Sequence, residues 1–169
     1  KHIWLVNVSS ELYLEKSELK KTFTPNHKFY IQTLGLKDVS SYSWDVFDNP
    51  KLKNFFQSNK KVSYFIARDR HYKGFDKLYN LLEKNKDKSF VICSKNKKIK
   101  QYAKNKNNIL YMESSNIFEK NYIIKNSIIN IFTSDNNAES FGIILLESQM
   151  FGVPSIVYNL NTGENTIIK

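Results

Sequence analysis

From Val62 onward the chain alternates short apolar runs with amphipathic stretches, and this alternation restricts the fold more than any other feature. Val62–Ala67, Ser89–Cys93, Ile109–Met112, Ile128–Thr133 and Ser155–Tyr158 are rich in β-branched and aromatic residues and read as strands. Between them, Gly74–Lys84 places Phe75, Leu78, Leu81 and Leu82 at helical spacing. Lys95–Lys104 is a polar helix carrying Ile99 and Ala103, Ile117–Ser127 a further helix, and Phe141–Phe151 a strongly apolar one. Gly152 and Pro154 end that last helix as a C′ glycine followed by a breaker. Near-continuous apolar strands separated by helices require a parallel sheet covered on both faces. The expected fold is therefore α/β, a Rossmann-like doubly wound parallel sheet. Ligands of such sheets bind at the carboxyl ends of the strands, which directs attention to the loops after Ala67, Cys93, Met112, Thr133 and Tyr158.

The first sixty residues follow no such rhythm. His2–Val8 reads as a strand, Ser10–Phe23 as a helix and Lys28–Thr33 as another strand. Lys37–Lys61 lacks sustained periodicity and reads as linker, with Asp48-Asn49-Pro50 as its clearest turn and a short Leu52–Phe56 helix. A length of 169 residues suits one well-packed domain and argues against two full-sized ones. Hydrophobic residues at 41% exclude a disordered chain. No apolar run approaches the roughly 20 residues that a membrane span requires. The single cysteine, Cys93, excludes an intrachain disulfide framework and a multi-cysteine zinc site, and it suits a reducing, cytoplasmic setting.

The net charge of +10 admits three readings. Arg68 and Arg70 are the only arginines, and every other basic residue is lysine. Arginine is the better fork for phosphates and base edges, so specific nucleic-acid binding ranks last. A solvated lysine surface, reflecting the Lys-, Asn- and Ile-rich composition, ranks first. An anionic membrane surface, at the inner face of a membrane, is the partner next in order.

Two stretches can carry chemistry. In Ala138–Gly152, Glu139 precedes a helix and Glu147 lies on it, about 12 Å away at the helical rise. Ser140-Phe141-Gly142 offers backbone N–H groups at the helix start, where anions are favoured. The second stretch is Ala67-Arg68-Asp69-Arg70-His71-Tyr72-Lys73-Gly74, directly after the first strong strand. Arg68 and Lys73 flank a turn that feeds a helix, a placement able to clamp a diphosphate. Neither a Walker nor a G-x-G-x-x-G spacing is present. His2, His27 and His71 are scattered, and no metal-ligand spacing occurs.

Together these stretches resemble the donor-binding half of a retaining family 4 glycosyltransferase of the GT-B fold. That family carries a G-R-x(4)-K-G loop after one strand and an E-x(7)-E motif at a later loop–helix junction. Here they stand as Ala67-Arg68…Lys73-Gly74 and Glu139…Glu147, followed by a helix, a Gly-Val-Pro stop and a strand. Thr162-Gly163 before Ile167-Ile168 resembles its terminal glycine loop. The resemblance implies that Arg68 and Lys73 bind the donor diphosphate and assist its departure. It implies that Glu147 accepts from the ribose hydroxyls, and that Glu139, Ser140, Phe141 and Gly142 hold the transferred sugar. The Cys93-Ser94 turn would flank the nucleobase, and Thr162 and Gly163 would complete the cradle. No metal or other cofactor is implied. The partners implied are a nucleotide-sugar donor and a glycan, lipid-linked or protein acceptor.

Three positions depart from the pattern: Ala67 replaces a glycine, Cys93-Ser94 a glycine-rich turn, and Thr166 a glutamate. The expected division is a remnant of the acceptor domain at residues 1–27, hinge and linker at 28–61, and an incomplete donor-binding domain at 62–169. The alternative from another class is a non-catalytic binding or scaffolding subunit that kept the fold.

Overall fold

The computed structural model describes residues 3–6, 28–31, 36–134 and 142–158. Two short strands, β1 (Ile3–Val6) and β2 (Lys28–Ile31), pair in parallel, Ile3 opposite Lys28. The helix expected over Ser10–Phe23 lies outside the described residues.

The second sheet has five strands: β3 (Val62–Ile66), β4 (Ser89–Cys93), β5 (Ile109–Met112), β6 (Ile129–Ile131) and β7 (Ser155–Ile156). Their order is β5-β4-β3-β6-β7, and every pairing is parallel. The chain therefore moves outward from β3 through β4 to β5, then crosses back to β6 on the other side of β3. This is the doubly wound arrangement, and its strand order reverses between β3 and β6, where loops leave in opposite directions and open a crevice.

Helices cover both faces: α1 (Pro50–Ser58), α2 (Phe75–Lys84), α3 (Lys97–Ala103), α4 (Ile117–Asn126) and α5 (Ile143–Met150). Alternation along the strands divides the core. Phe65, Phe90, Ile92 and Ile109 pack with Leu78, Leu82 and Ile99 of α2 and α3. Their strand neighbours Tyr64, Val91 and Leu110 pack instead with Leu52, Ile123 and Ile124 of α1 and α4. Each such apolar side chain contributes about 1.5–3 kcal/mol by leaving water.

Residues 36–61, expected as linker, are joined to this core. Leu52 is completely buried, and Trp44 is buried with its ring against Phe118 and Phe151. The Asp48-Asn49-Pro50 turn is the start of α1, with Pro50 in the first turn and the Asn49 side chain accepting from the Leu52 N–H at 3.1 Å. Proline is preorganised for that position and lacks only an N–H that would go unpaired. At the other end of the chain, α5 closes as the Gly152 stop requires. The Gly152 N–H reaches the Gln149 carbonyl and the Val153 N–H the Ser148 carbonyl, the Schellman pattern. Among the described residues, no helix is long and apolar enough to cross a membrane.

Candidate functional site at the strand-order reversal

The loop after β3 carries both arginines. Ala67 still donates to the Cys93 carbonyl, so the chain leaves the sheet only at Arg68, whose side chain is exposed. A single turn of 3₁₀ helix (His71–Lys73) then brings the chain to Gly74, which adopts φ 65° and opens α2. The left-handed conformation favours glycine, and space demands it more strongly. A Cβ at Gly74 would stand 1.9 Å from the Thr133 carbonyl oxygen. The Thr133 hydroxyl in turn donates to the Lys73 carbonyl at 2.7 Å. The Arg68–Gly74 loop is thus fastened to the end of β6, across the point where the strand order reverses.

Lys73 is half-buried, with its ammonium 5.1 Å from the Tyr72 ring centroid and 5.4 Å from that of Phe132. Phe132 also approaches Gly142, to within 3.4 Å of where a Cβ would be. Lys73 and the start of α5 therefore share one aromatic neighbour. Gly142, at φ 66°, precedes α5 without a side-chain cap. The first-turn amides and the positive end of the helix dipole suit an anion there.

Glu147 lies one turn further along α5, half-buried, and forms an ion pair with Lys120 of α4. Its neighbour Ser148 anchors the helix to the sheet. The Ser148 hydroxyl donates to the Ile144 carbonyl and receives the Tyr64 hydroxyl, whose pKa burial pushes up.

Ser94 is buried, and its Oγ accepts from the Asn96 N–H at 3.0 Å. Its N–H donates to the Met112 carbonyl, and its own carbonyl accepts from the Tyr111 hydroxyl at 2.5 Å. Asn96 caps α3 through the Ile99 N–H and donates from its side chain to Asp69 at 2.9 Å. The loops after β3 and β4 are tied together by that contact.

The structure thus brings Arg68, Lys73, Gly142 and Glu147 to the same end of the sheet and sets the Ser94 turn beside the first loop. Glu139, Ser140, Phe141, Thr162 and Gly163 lie outside the described residues. Sequence reasoning missed four contributors. Thr133, Asp69 and Asn96 fix the loops, and Asn96 was legible as an N-cap before a helix. Lys120 carried no signal, since its partner is 27 residues away on another helix.

In this doubly wound parallel domain the cations of the loop after β3 and the start of α5 meet at the strand-order reversal, an arrangement suited to a phosphate-bearing ligand. Residues 47–169 match the family model for glycosyl transferases group 1. The chain belongs to that family. No curated protein sequence matches it significantly.

Solved structures with the same fold include a glycosyltransferase from Rickettsia africae, at TM-score 0.64 and 19% identity, covering 84% of this chain and 41% of that one. The E. coli trehalose-6-phosphate structure bound with UDP-2-fluoro glucose aligns at TM-score 0.63 and 11% identity, covering 83% and 39%. Anabaena HepE in complex with UDP-glucose aligns at TM-score 0.61 and 12% identity, covering 83% and 41%. The present chain thus spans about two-fifths of the length of these neighbours.

Proposed function

We propose that the chain is the C-terminal, nucleotide-sugar-binding domain of a retaining family 4 glycosyltransferase. The whole enzyme would transfer a hexose or N-acetylhexosamine from a nucleoside diphosphate donor to a glycan, lipid-linked or protein acceptor. The observation that carries this reading is the loop from Arg68 to Gly74, fastened to Thr133 at the crevice between β3 and β6. It holds two cations where a diphosphate would lie across the strand ends.

When the bond from the anomeric carbon to the donor phosphate breaks, its electron pair passes to the leaving diphosphate. Arg68 and Lys73 are the groups that would meet this growing negative charge. In this reading they would neutralise that charge without a metal or other cofactor. Glu147 is an acceptor-only carboxylate suited to a pair of ribose hydroxyls, and Lys120 holds it in place until they arrive. Glu139, Ser140, Phe141 and Gly142 would hold the transferred sugar, and Thr162 and Gly163 would close the phosphate cradle. Ser94, whose N–H, carbonyl and Oγ each have a partner within the fold, would shape the base-binding turn and leave direct contacts to its neighbours.

Residues 1–27 would then be the tail of the acceptor domain. The isolated chain would bind donor without turning it over, because transfer requires an opposing domain to orient the acceptor. We place the enzyme in the cytoplasm, at the inner membrane face where lipid-linked acceptors reside. The lysine excess, worth about 1 kcal/mol per residue near an anionic surface, supports that placement.

Calorimetric titration with UDP, UDP-glucose, UDP-N-acetylglucosamine and GDP-mannose tests the reading. At least one ligand is expected to bind at millimolar affinity or tighter, and Glu147→Gln or Lys73→Ala should weaken it about tenfold, as for a charge-assisted bond. Failure of the folded chain to bind any of the four would overturn the assignment.

A further inference from the structure

The sheet ends at β5; the proposed diphosphate site lies two strands away at β3 and β6, and only the Ser94 turn, whose carbonyl accepts from the Tyr111 hydroxyl, adjoins this edge. A cleft of about 880 Å³ runs along it, walled by α1 on one side and α3 on the other, with Ile109, Leu110 and Tyr111 as its floor. The two helices belong to opposite faces of the sheet, so the edge strand itself is the base of the cleft.

The register defines what the floor presents. Phe90 donates to the Asn108 carbonyl and Ser94 to the Met112 carbonyl, with Phe90 opposite Ile109. In a parallel ladder only alternate residues bond to a given neighbour. Leu110 and Met112 therefore face β4, while the N–H and C=O of Ile109 and Tyr111 point away from it. Among the described residues no other strand pairs with them.

Among the described residues, every charged side chain that lines the cleft is a lysine. Lys97, Lys100 and Lys104 share one face of α3 and its end, Lys51 comes from α1 and Lys106 from the following turn. Among the described residues no Asp or Glu lines the cleft. Lys97 stands in the first turn of α3, which holds no acidic residue, so its charge opposes the helix dipole. Lys97 and Lys104 form no ion pair among the described residues, and Lys100 has only the exposed Glu113.

We propose that this edge is a docking site for an acidic polypeptide segment, bound as an added strand along β5. Unpaired backbone donors and acceptors at strand spacing are matched by another backbone. Lysines on both walls then select carboxylates on the incoming chain and repel basic ones. A bilayer is planar and does not reach a floor recessed between two helices. Single-stranded nucleic acid is held by stacking on aromatic platforms and by arginine; the cleft has Phe55 and Tyr111 but no arginine, and the Tyr111 hydroxyl is tied to the Ser94 and Asn96 carbonyls.

The test uses the whole 169-residue chain and a fluorescent peptide of about eight residues alternating Glu with Thr and Val, long enough to span the edge. Fluorescence anisotropy should report binding at low salt that weakens at high salt, and none by the counterpart with Lys in place of Glu. N-methylation of alternate peptide amides should weaken binding about tenfold by removing strand hydrogen bonds. The pair Lys97→Glu and Lys104→Glu, which touches no ion pair, should do the same through charge. In amide exchange, Ile109 and Tyr111 should gain protection when the peptide is bound. Equal binding of the acidic and basic peptides would overturn the proposal, as would indifference to N-methylation. So would capture of phosphatidylglycerol vesicles or a single-stranded oligonucleotide by the same lysines without the peptide.

Discussion

Gly74 and Gly152 have nearly the same backbone, at φ 65° and 70°, and quite different surroundings. A side chain at Gly152 meets nothing within 4 Å, whereas one at Gly74 collides with the Thr133 carbonyl. Gly152→Ala therefore carries only the conformational cost of a left-handed residue, about 1 kcal/mol. Gly74→Ala adds a clash with backbone that cannot swing aside, and a loss of about 3 kcal/mol or more is expected. Urea denaturation of the two variants measures the difference. Gly74→Ala should also weaken donor binding, because the displaced loop carries Arg68 and Lys73, while Gly152→Ala should bind as the parent does.

At the scale of elements, the starts of α1 and α4 are joined. Asn49 caps α1, and Asn116 and Glu119 form a reciprocal capping box at α4. Glu119 also accepts from the Asn49 side chain at 2.7 Å, across 70 residues of sequence. Asn49→Ala should cost about 1–2 kcal/mol, the upper end for a cap because it removes both contacts. A double-mutant cycle of Asn49→Ala with Glu119→Gln, followed by chemical denaturation, should show a coupling of about 0.5 kcal/mol or more; strict additivity would mean the helix starts are independent.

Such ties also explain what could be read in advance. The strands of the larger sheet follow from local apolar runs, which end within about two residues of the observed boundaries because burial on both faces leaves few polar positions. The shared placement of Arg68 and Lys73 after β3 was legible since one loop holds both. Residues 36–49 were not, for Trp44 is buried without any repeating pattern around it. Asn49-Pro50 fits a turn and a helix start equally well, and only the packing of Leu52 decides between them. The pairing of Lys120 with Glu147 exists only once α4 and α5 are packed together.

For the whole molecule, the groups whose titration burial shifts are mostly weak acids that the fold keeps protonated. Burial pushes up the Tyr64, Tyr111 and Tyr122 hydroxyls and the Cys93 thiol, and Tyr102 is pushed up to about 12 by burial and by the Glu83 carboxylate. The unfolded chain releases these protons first, from the ordinary values of 9.0 for the thiol and 10.0 for the phenols. Above that range the folded state binds more protons than the unfolded state, so stability present below pH about 9 falls as pH rises. Lysine deprotonation acts in the other direction, since relief of the +10 self-repulsion favours the compact state.

Tyr64 separates the two effects. It is completely buried on β3, where its hydroxyl donates to Ser148, so ionisation would leave a charge among Val62, Val91 and Ile123. Tyr64→Phe should cost about 1 kcal/mol at pH 7 through the lost hydrogen bond. The variant should lose less further stability than the parent between pH 9 and 11, because it has one buried acid fewer while every lysine remains. Urea midpoints of both proteins across that interval decide the point: parallel curves would mean that Tyr64 does not govern the alkaline limit.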